Sequence, residues 1–400
     1  MKVLLIMGSY YPELQFGGST QKLYELSRGL VERGHDVQVL TFHSDQSSPH
    51  PPIVIDGVKI EYLPWIGRGS WRVPIRLKPV IKLVRWTDVV HCFGIYSVLC
   101  SLAALIAKRS ARPYLLEPMG MYPPKGRNLL SKRIYNALSI GAMIKSADTV
   151  IATSQTELDG LSSLASPNQL QIRPDGIRVD RFSNLPDARS FRDKLGISDA
   201  ERVILYVGRI SRIKNLEQLI LAFKELALPG AKLVLLGPAD EPDYLAQLQL
   251  VVTQNGLNNE ITFAGPLYEE DKLPAFAAAD LLVLPSEFES YGLAAAEGVA
   301  AGIPVLVTDA CGIAPLIHRR AGLSVPVDVH SLAEGMRVLL QDQTQRRELT
   351  AARADVLQEL TWEKPLSQLE QLYEQAIKNV QSPHFADSLA SSVGSGPSAS

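Results

Sequence analysis

The sequence predicts an α/β protein made of two Rossmann-like, doubly wound domains that face each other across a cleft. Short β-type runs alternate with helical patterns along nearly the whole chain, and the alternation comes in two successive series. A length of 400 residues is also too great for one ordinary core. The composition, 46% hydrophobic and 20% charged, is globular and excludes a disordered or fibrous chain.

The first series opens with the apolar run VLLIMG at 3–8, a helical pattern near 19–33 and a strand pattern at 35–42. This strand–helix–strand order is the unit of a parallel sheet. Further strand patterns lie at 88–93, 113–118 and 148–154. We therefore predict an N-terminal domain over residues 1–180.

The second series predicts a C-terminal domain over residues 181–362, with a hinge at 181–198. Its strand patterns lie at 202–208, 231–237, 260–265, 280–286 and 303–309. A last helix is predicted at 363–379. The Ser-, Gly- and Ala-rich tail at 381–400 is predicted to be disordered.

Cysteine usage and hydropathy bear on the compartment. Cys92, Cys100 and Cys311 are odd in number and scattered, which argues against a disulfide framework or a zinc cluster and favours a reducing compartment. The N-terminal apolar run is too short for a signal peptide, and no apolar run reaches the ~18 residues needed to cross a bilayer. The sequence therefore predicts a cytoplasmic protein.

The charge is unevenly distributed. Residues 1–182 hold 22 Lys and Arg against 14 Asp and Glu, whereas residues 183–400 hold 18 against 28. The basic excess centres on 66–86, which contains Trp71 and Trp86 and no acid. Its cations are Arg68, Arg72, Arg76, Lys78, Lys82 and Arg85.

Two interpretations of the basic segment 66–86 stay open. Cations interleaved with aromatic residues attach proteins peripherally to anionic membrane surfaces, here the cytoplasmic face. Alternatively, the segment is the solvated face of an ordinary helix and loop, with its tryptophans in the core. Pro74 and Pro79 argue against one long amphipathic helix.

Loops that follow strands are the places to look for a site, because ligands bind at the carboxyl ends of parallel strands. Gly17 and Gly18 precede the first helix, where a backbone can approach a ligand closely and free N–H groups can meet an anion. An ordinary flexible loop is the alternative.

Arg209 and Lys214 follow the strand at 202–208 and could hold a diphosphate. The alternative is that both are solvated surface cations.

The stretch EFESYGLAAAEGVAAGIPV at 287–305 places two carboxylates around a helix start. Glu289 falls in the loop after a strand, and Gly292 allows a tight turn into the helix that carries Glu297. A helix carboxylate can accept hydrogen bonds from both hydroxyls of a ribose diol, and Glu289 would reach the other end of the same ligand. Two solvated glutamates are the alternative.

Taken together, these residues resemble the retaining, nucleotide-sugar-dependent glycosyltransferases of the GT-B fold, in particular glycosyltransferase family 4. The likeness covers about residues 1–380, and the helix near 363–379 is similar to the family's helix that crosses back onto the first domain. Asp175 stands where the family usually has asparagine. The motifs are FGGSTQKL, RPDGIRVDRF, VGRISRIKN, EFESYGLAAAE and CGIAPLI.

The resemblance implies transfer of a sugar from a UDP-, GDP- or ADP-sugar to the hydroxyl of a glycan or lipid-linked acceptor, with retention, in bacterial cell-surface or exopolysaccharide assembly. No D-x-D pair is well placed, so no metal or cofactor is expected. No nucleic-acid partner is expected. Arg209, Lys214 and helix dipoles would stabilise the departing diphosphate. The catalytic candidates are Arg209, Lys214 and Glu289; the donor-binding candidates are Gly17, Gly18, Glu297, Tyr291, Gly292 and Leu293.

The chain departs from the family at VVHCFG. Family members often carry H-x-H after the fourth strand, but here Phe93 stands at the second position. His91 is a fourth catalytic candidate, with a buried strand-end histidine as the equal alternative. Glu117 could either face the cleft or cap a strand.

Three other functions are considered. A nucleotide-sugar epimerase can share this two-domain fold. A nicotinamide oxidoreductase would need a tight glycine fingerprint after the first strand, which GSYYPELQFGG does not supply. A non-catalytic sugar-nucleotide-binding protein would not need Arg209, Lys214, Glu289 and Glu297 together.

Overall fold

The described residues form two large sheets, each packed on both faces. The computed structural model describes residues 1–13, 18–44, 51–123 and 139–381. Two apolar clusters cover the faces of the first sheet and two cover those of the second. The predicted α/β class with parallel sheets is confirmed.

The first sheet has eight strands in the order β10-β9-β8-β7-β1-β2-β4-β3. Its neighbouring pairs are parallel, except for the edge hairpin β3–β4. The strands are β1 Lys2–Ile6, β2 Asp36–Phe42, β3 Ile53–Ile55, β4 Val58–Leu63, β7 Val89–Phe93, β8 Tyr114–Glu117, β9 Thr149–Ala152 and β10 Leu170–Ile172. A separate two-stranded ribbon pairs β5 Trp65–Ile66 with β6 Val73–Pro74.

The second sheet has six strands in the order β13-β12-β11-β14-β15-β16, and all its pairs are parallel. The strands are β11 Arg202–Val207, β12 Ala231–Leu236, β13 Ile261–Gly265, β14 Leu281–Leu284, β15 Val305–Thr308 and β16 Gly322–Val325. In each sheet the strand order reverses once in the interior, between β7 and β1 and between β11 and β14, which is the mark of a doubly wound sheet.

Helices connect the strands. In the described parts of the chain they are α1 Gly18–Glu32, α2 Lys78–Trp86, α3 Val98–Arg109, α4 Gly141–Lys145, α5 Gln155–Leu161, α6 Arg189–Leu195, α7 Leu216–Leu226, α8 Pro242–Gln254, α9 Leu273–Ala278, α10 Leu293–Ala300, α11 Ala314–Ile317, α12 Val329–Gln341, α13 Gln343–Glu359 and α14 Glu363–Gln381. Within these residues, none of the helices combines the length and the apolar character that a membrane span requires.

Most predicted elements appear where the sequence indicates them. All ten strand patterns form strands, and α1 buries Leu23, Leu26 and Leu30, as their spacing predicts. The sequence patterns did not predict β3, β4, β5, β6, β10 or β16. These strands lie at or next to sheet edges, where short runs with polar or exposed residues lack the continuous apolar signal of a central strand.

The stretch 181–198, predicted as a hinge, is part of the second packed unit. Phe191 and Ile197 are buried with β11 and β12, because α6 covers that face of the sheet. The chain passes between the sheets nearby, where the Ile177 N–H donates to the Leu360 carbonyl at 2.8 Å. The predicted tail, 381–400, lies outside the described residues except for Gln381, which ends α14.

Helix α14 returns to the first sheet. Leu369 and Tyr373 are fully buried in the cluster that also contains Val3 and Leu26. The approach is close, since a Cβ on Gly29 of α1 would lie 2.6 Å from Leu366 Cδ1. The last helix therefore belongs to the core of the first sheet, although it follows the second in sequence.

We expect Leu369→Ala to lower the free energy of unfolding of the first unit by about 2–5 kcal/mol, because it removes a fully buried side chain and leaves a cavity. Denaturant unfolding followed by circular dichroism measures the change. Gln371→Ala, an exposed position on the same helix, is the matched control and should stay within about 0.5 kcal/mol of wild type. Equal stability of the two variants would show that α14 does not complete this core.

Candidate active site

A cavity of about 430 Å³ lies between the carboxyl edges of the two sheets. The start of α1, the loop after β8 and Asp175 form its wall on the side of the first sheet. The loops after β11, β12, β13 and β14 form the opposite wall. The β11 and β14 loops leave the second sheet where its strand order reverses, which is where open α/β sheets bind ligands.

The cavity brings together most of the site residues predicted from sequence. Gly17 lies outside the described residues, and His91 is not part of the lining. The predicted residues that line the cavity are Gly18, Arg209, Lys214, Glu289, Tyr291, Gly292, Leu293 and Glu297.

Gly292 shapes the turn into α10. Its φ of 119° lies in the left-handed region, and a Cβ there would come within 2.9 Å of Ile313 Cγ2. The Ile313 N–H also donates to the Tyr291 carbonyl at 2.8 Å. Further along α10, a Cβ on Gly298 would lie 3.1 Å from Leu282 Cδ1, so the small residues hold this helix tightly on the sheet. The backbone that carries Glu289 and Glu297 is therefore stiff.

The loops after β11 and β12 touch through their glycines. A Cβ on Gly237 would lie 1.9 Å from the Gly208 carbonyl oxygen, so no other residue fits at that position. The Tyr206 hydroxyl donates to the Arg209 carbonyl at 2.8 Å. These contacts fix the backbone of Arg209 at the rim of the cavity, where its side chain is 48% exposed.

Each cation of the second-sheet wall is paired with a carboxylate. Arg209 lies 2.6 Å from Asp240, and Lys214 forms an ion pair with Glu289. A third pair joins Lys272 Nζ to Glu297 Oε1 at 2.6 Å. An anionic ligand bound by these cations would therefore compete with the carboxylates for them.

The first-sheet wall comes within contact distance of α10. A Cβ on Gly18, the first residue of α1, would lie 3.3 Å from Leu293 Cδ1. A Cβ on Gly120, after β8, would lie 2.7 Å from Ser290 Cβ. The Thr153 hydroxyl donates to the Ser290 carbonyl at 3.1 Å, so polar and apolar contacts join the two units beside the cavity.

A buried charge cluster lies behind the first-sheet wall. It consists of Lys22, Glu117, Arg173 and Asp175, all less than 5% exposed. Lys22 pairs with Glu117 and lies 2.6 Å from Asp175, and Arg173 Nη2 lies 2.7 Å from Glu117 Oε2. Lys22 and Asp175 also line the cavity. The cluster therefore extends from the cavity wall, at Lys22 and Asp175, into the interior, at Glu117 and Arg173.

Burial and pairing act against each other in this cluster. Burial by itself would raise the pKa of Glu117, but the charges of Lys22 and Arg173 lower that pKa to about 2. The pKa of Asp175 is raised, since burial there outweighs the attraction of Lys22. The side chain of Glu117 neither lines the cavity nor caps a strand. Its carboxylate pairs with the interior cations Lys22 and Arg173.

His91 is a core histidine at the end of β7. Its side chain is fully buried, and its Nδ1 lies 2.9 Å from the Tyr373 hydroxyl. The Phe93 ring packs against it at a tilt of 31°, with the ring centroids 4.1 Å apart. Burial lowers the pKa of His91 to about 3, despite Glu117 Oε2 at 3.7 Å from its Nε2. The catalytic role expected for His91 is not favoured, because the ring lies in the interior and does not reach the cavity.

Sequence reasoning missed Lys22, Arg173, Lys272 and Asp240. Lys272 comes after β13, where a loop-after-strand search would include it, but Lys22 lies inside a helix and faces carboxylates from distant parts of the chain. Within the described residues, no group of three or more His, Cys, Asp or Glu side chains could hold a metal ion. The expectation of a metal-free site stays a prediction.

Comparison with known proteins agrees with this architecture. A family model described as "Glycosyl transferase 4-like domain" matches residues 17–189, and one described as "Glycosyl transferases group 1" matches residues 187–355. An uncharacterized glycosyltransferase of Methanocaldococcus jannaschii is 27% identical over 94% of this chain and 99% of its own length.

Solved structures share the fold over almost the whole chain. Sucrose-phosphate synthase from Thermosynechococcus elongatus superimposes with a TM-score of 0.75 at 23% identity, covering 94% of this chain and 99% of that one. The Anabaena protein HepE, in complex with UDP-glucose, has a TM-score of 0.75 at 20% identity, covering 95% of this chain and 100% of that one. Both establish the likeness of fold.

The buried His91 gives a pH prediction. The folded protein keeps the ring neutral down to about pH 3, whereas an unfolded histidine takes up a proton near its ordinary pKa of 6.5. Between these values the unfolded state binds more protons, so stability falls as pH falls. The variant His91→Asn keeps a polar group near Tyr373. Below pH 6.5, its free energy of unfolding should change less steeply with pH than that of wild type, by up to about 1.4 kcal/mol per pH unit.

Denaturant unfolding between pH 7 and 5 measures this slope, above the range in which Glu117 titrates. His330→Asn is the control, because His330 is exposed and Glu225 raises its pKa, so its removal should not make the slope shallower. An unchanged slope in His91→Asn would mean that the ring is charged or hydrated in the folded protein.

Proposed function

The chain is a glycosyltransferase of the family 4 type with the GT-B fold, and on that premise we propose that it transfers a sugar from a nucleoside diphosphate sugar to an acceptor hydroxyl with retention at the anomeric carbon. The observation that carries the proposal is the convergence of Arg209, Lys214, Glu289 and Glu297 on one cavity between the two sheets. Cations suited to a diphosphate and carboxylates suited to sugar hydroxyls therefore lie within reach of one ligand.

We propose one orientation for the donor in the cavity, with its diphosphate at the cations and its ribose at Glu297. Arg209 and Lys214 would bind the diphosphate, together with the N–H groups at the start of α10, which no side chain caps. Glu297 would accept hydrogen bonds from the ribose diol. Glu289, once Lys214 turns to the phosphate, would accept hydrogen bonds from the sugar. UDP-, GDP- and ADP-sugars all present these groups, and the proposal covers the class.

The transfer step follows the scheme favoured for retaining enzymes of this fold. The bond between the anomeric carbon and the β-phosphate oxygen breaks, and a bond to the acceptor oxygen forms on the same face. The acceptor proton passes to the departing phosphate oxygen. Arg209 and Lys214 stabilise the negative charge that grows on the diphosphate, which is the task a metal ion performs in other folds.

The acceptor side is the wall of the first sheet, where Lys22, Met119 and Asp175 line the cavity. We propose a glycan or lipid-linked acceptor in the assembly of bacterial cell-surface polysaccharide, at the cytoplasmic face of the membrane. A nucleotide-sugar epimerase and a non-catalytic binding protein would use the same donor pocket. Family membership favours the transferase.

Replacing the two cations tests the diphosphate site. We expect Arg209→Ala and Lys214→Ala each to reduce turnover about 10²-fold or more, because each removes charge stabilisation from the leaving diphosphate. Release of nucleoside diphosphate from a panel of UDP-, GDP- and ADP-sugars measures this. Arg212→Ala is the matched control in the same turn, since Arg212 is 59% exposed and is not part of the cavity lining. Wild-type rates in the Arg209, Lys214 double variant would refute the assignment.

Replacing the two glutamates separates their tasks. Glu297→Gln should weaken binding of the nucleoside diphosphate and of the nucleotide sugar alike, roughly tenfold, because the ribose loses a charged acceptor. Glu289→Gln should weaken only the nucleotide sugar. Calorimetric titration with both ligands distinguishes these patterns, and an equal loss for both ligands in both variants would contradict the proposed orientation.

A further inference from the structure

The ribbon β5–β6 and the residues that follow it carry an exposed apolar surface, here called the ribbon surface. Its members are Ile66 (60% exposed), Trp71 (47%), Val73 (38%), Ile75 (58%) and Leu77 (45%). We propose that the ribbon surface inserts into the headgroup region of an anionic membrane, and that the cations beside it bind the lipid phosphates.

The register of the ribbon places these side chains on one face. Ile66 pairs with Val73 and Trp65 pairs with Pro74, so the two pairs point to opposite faces. Pro74 is buried, whereas Ile66 and Val73 are exposed. The ribbon continues to Ile75, whose N–H donates to the Pro64 carbonyl at 2.9 Å, and alternation returns Ile75 to the outer face. Ile66, Val73 and Ile75 therefore share the outer face of the ribbon.

The turn that carries Trp71 has a fixed shape. Gly67 and Gly69 have φ values of 105° and 55°, and a Cβ on Gly67 would lie 2.3 Å from the Trp71 carbonyl oxygen. The Trp71 N–H donates to the Arg68 carbonyl at 3.0 Å. Trp71 thus lies in a turn of defined backbone shape with 47% of its surface exposed. Tryptophan is favoured at membrane interfaces, where its ring meets both apolar and hydrated surroundings.

The charged residues of segment 66–86 are all cations. Segment 66–86 contains no Asp or Glu, and all its cations except Arg72 are exposed. The exposed cations are Arg68, Arg76, Lys78, Lys82 and Arg85. An apolar face on a segment whose only charged residues are cations is complementary to a membrane of anionic lipids, which offers lipid phosphates and an apolar interior together.

Arg72 has a different task from the one its place in the basic segment suggests. Its guanidinium stacks over the rings of Phe42 and Trp65, at 5.2 and 5.1 Å from their centroids. Its Nη2 donates to the Gly8 carbonyl at 2.6 Å. Gly8 follows β1 and Phe42 ends β2, so Arg72 anchors the ribbon to the carboxyl edge of the first sheet. That edge also forms the acceptor wall of the cleft.

Docking through the ribbon surface would therefore hold the acceptor wall near the lipid surface, where an acceptor carried on a lipid is presented. This inference rests on the proposed function for its biological purpose, but its physical content, binding to an anionic bilayer, can be measured without any sugar transfer.

The test uses the full chain with vesicles of pure phosphatidylcholine and with vesicles of phosphatidylcholine and phosphatidylserine in equal parts. Wild type should cosediment with the mixed vesicles, and added salt should weaken this binding. The triple variant Arg76→Glu, Lys78→Glu, Lys82→Glu should bind at least tenfold more weakly. Ile66→Ala with Ile75→Ala should also weaken binding severalfold, because it removes inserted apolar area.

Matched controls distinguish binding through the ribbon surface from nonspecific electrostatic and hydrophobic binding. Arg189→Glu, Lys194→Glu, Lys224→Glu makes the same charge change at exposed cations of the second unit. Val54→Ala with Leu250→Ala truncates apolar side chains that are 66% and 56% exposed elsewhere. Both controls should bind as wild type does. Trp71 emission should shift to the blue on binding, and Trp71→Phe should remove most of that shift.

Three results would overturn the inference: no binding of wild type to the mixed vesicles, equal loss in the controls, or self-association of wild type that the ribbon variants abolish. The last would make the surface an interface between copies of this chain. The Arg209, Lys214 double variant should bind vesicles as wild type does. Failure of the donor site and failure of membrane docking are therefore distinguishable.

Discussion

The buried pairing of Lys22, Glu117, Arg173 and Asp175 is the constraint on which the site depends. Two cations and two carboxylates leave water together, and each would be strongly unfavourable in the interior without the others. They come from α1, from the end of β8 and from the segment after β10. The cluster forms only when these three parts of the chain are in register, and in that arrangement it supports the first-sheet wall of the cavity.

The same region is where the chain crosses between the two units. Ile177 is bonded to Leu360, and a Cβ on Gly176 would lie 2.7 Å from the Trp362 ring, so the outgoing and returning segments are packed against each other. The indole N–H of Trp362 donates to Glu25 on α1 at 2.8 Å. The crossing between the units and the buried charge cluster therefore lie side by side, since Gly176 and Ile177 follow Asp175 directly.

The electrostatics of the cleft suit a ligand that carries both charge and hydroxyls. The cations Lys22, Arg209, Lys214 and Lys272 each lie against a carboxylate, so none presents a bare charge to the cavity. A diphosphate can take cations from the carboxylates, which leaves those carboxylates to accept hydrogen bonds from hydroxyl groups. A ligand that is only anionic would leave the carboxylates without hydrogen-bond donors, and a ligand that is only a sugar would not draw the cations away from the carboxylates.

The sequence by itself determined the α/β class, the central strands and the charged residues of the second-sheet wall of the cavity. Central parallel strands carry a continuous apolar signal, and Arg209, Lys214, Glu289 and Glu297 all come soon after such strands, where local order alone brings side chains to a common edge. Only the tertiary structure decided the rest. The partners of Lys22, the interior position of His91 and the anchoring of Arg72 depend on contacts between residues far apart in the chain, and spacing along a sequence carries no information about such contacts.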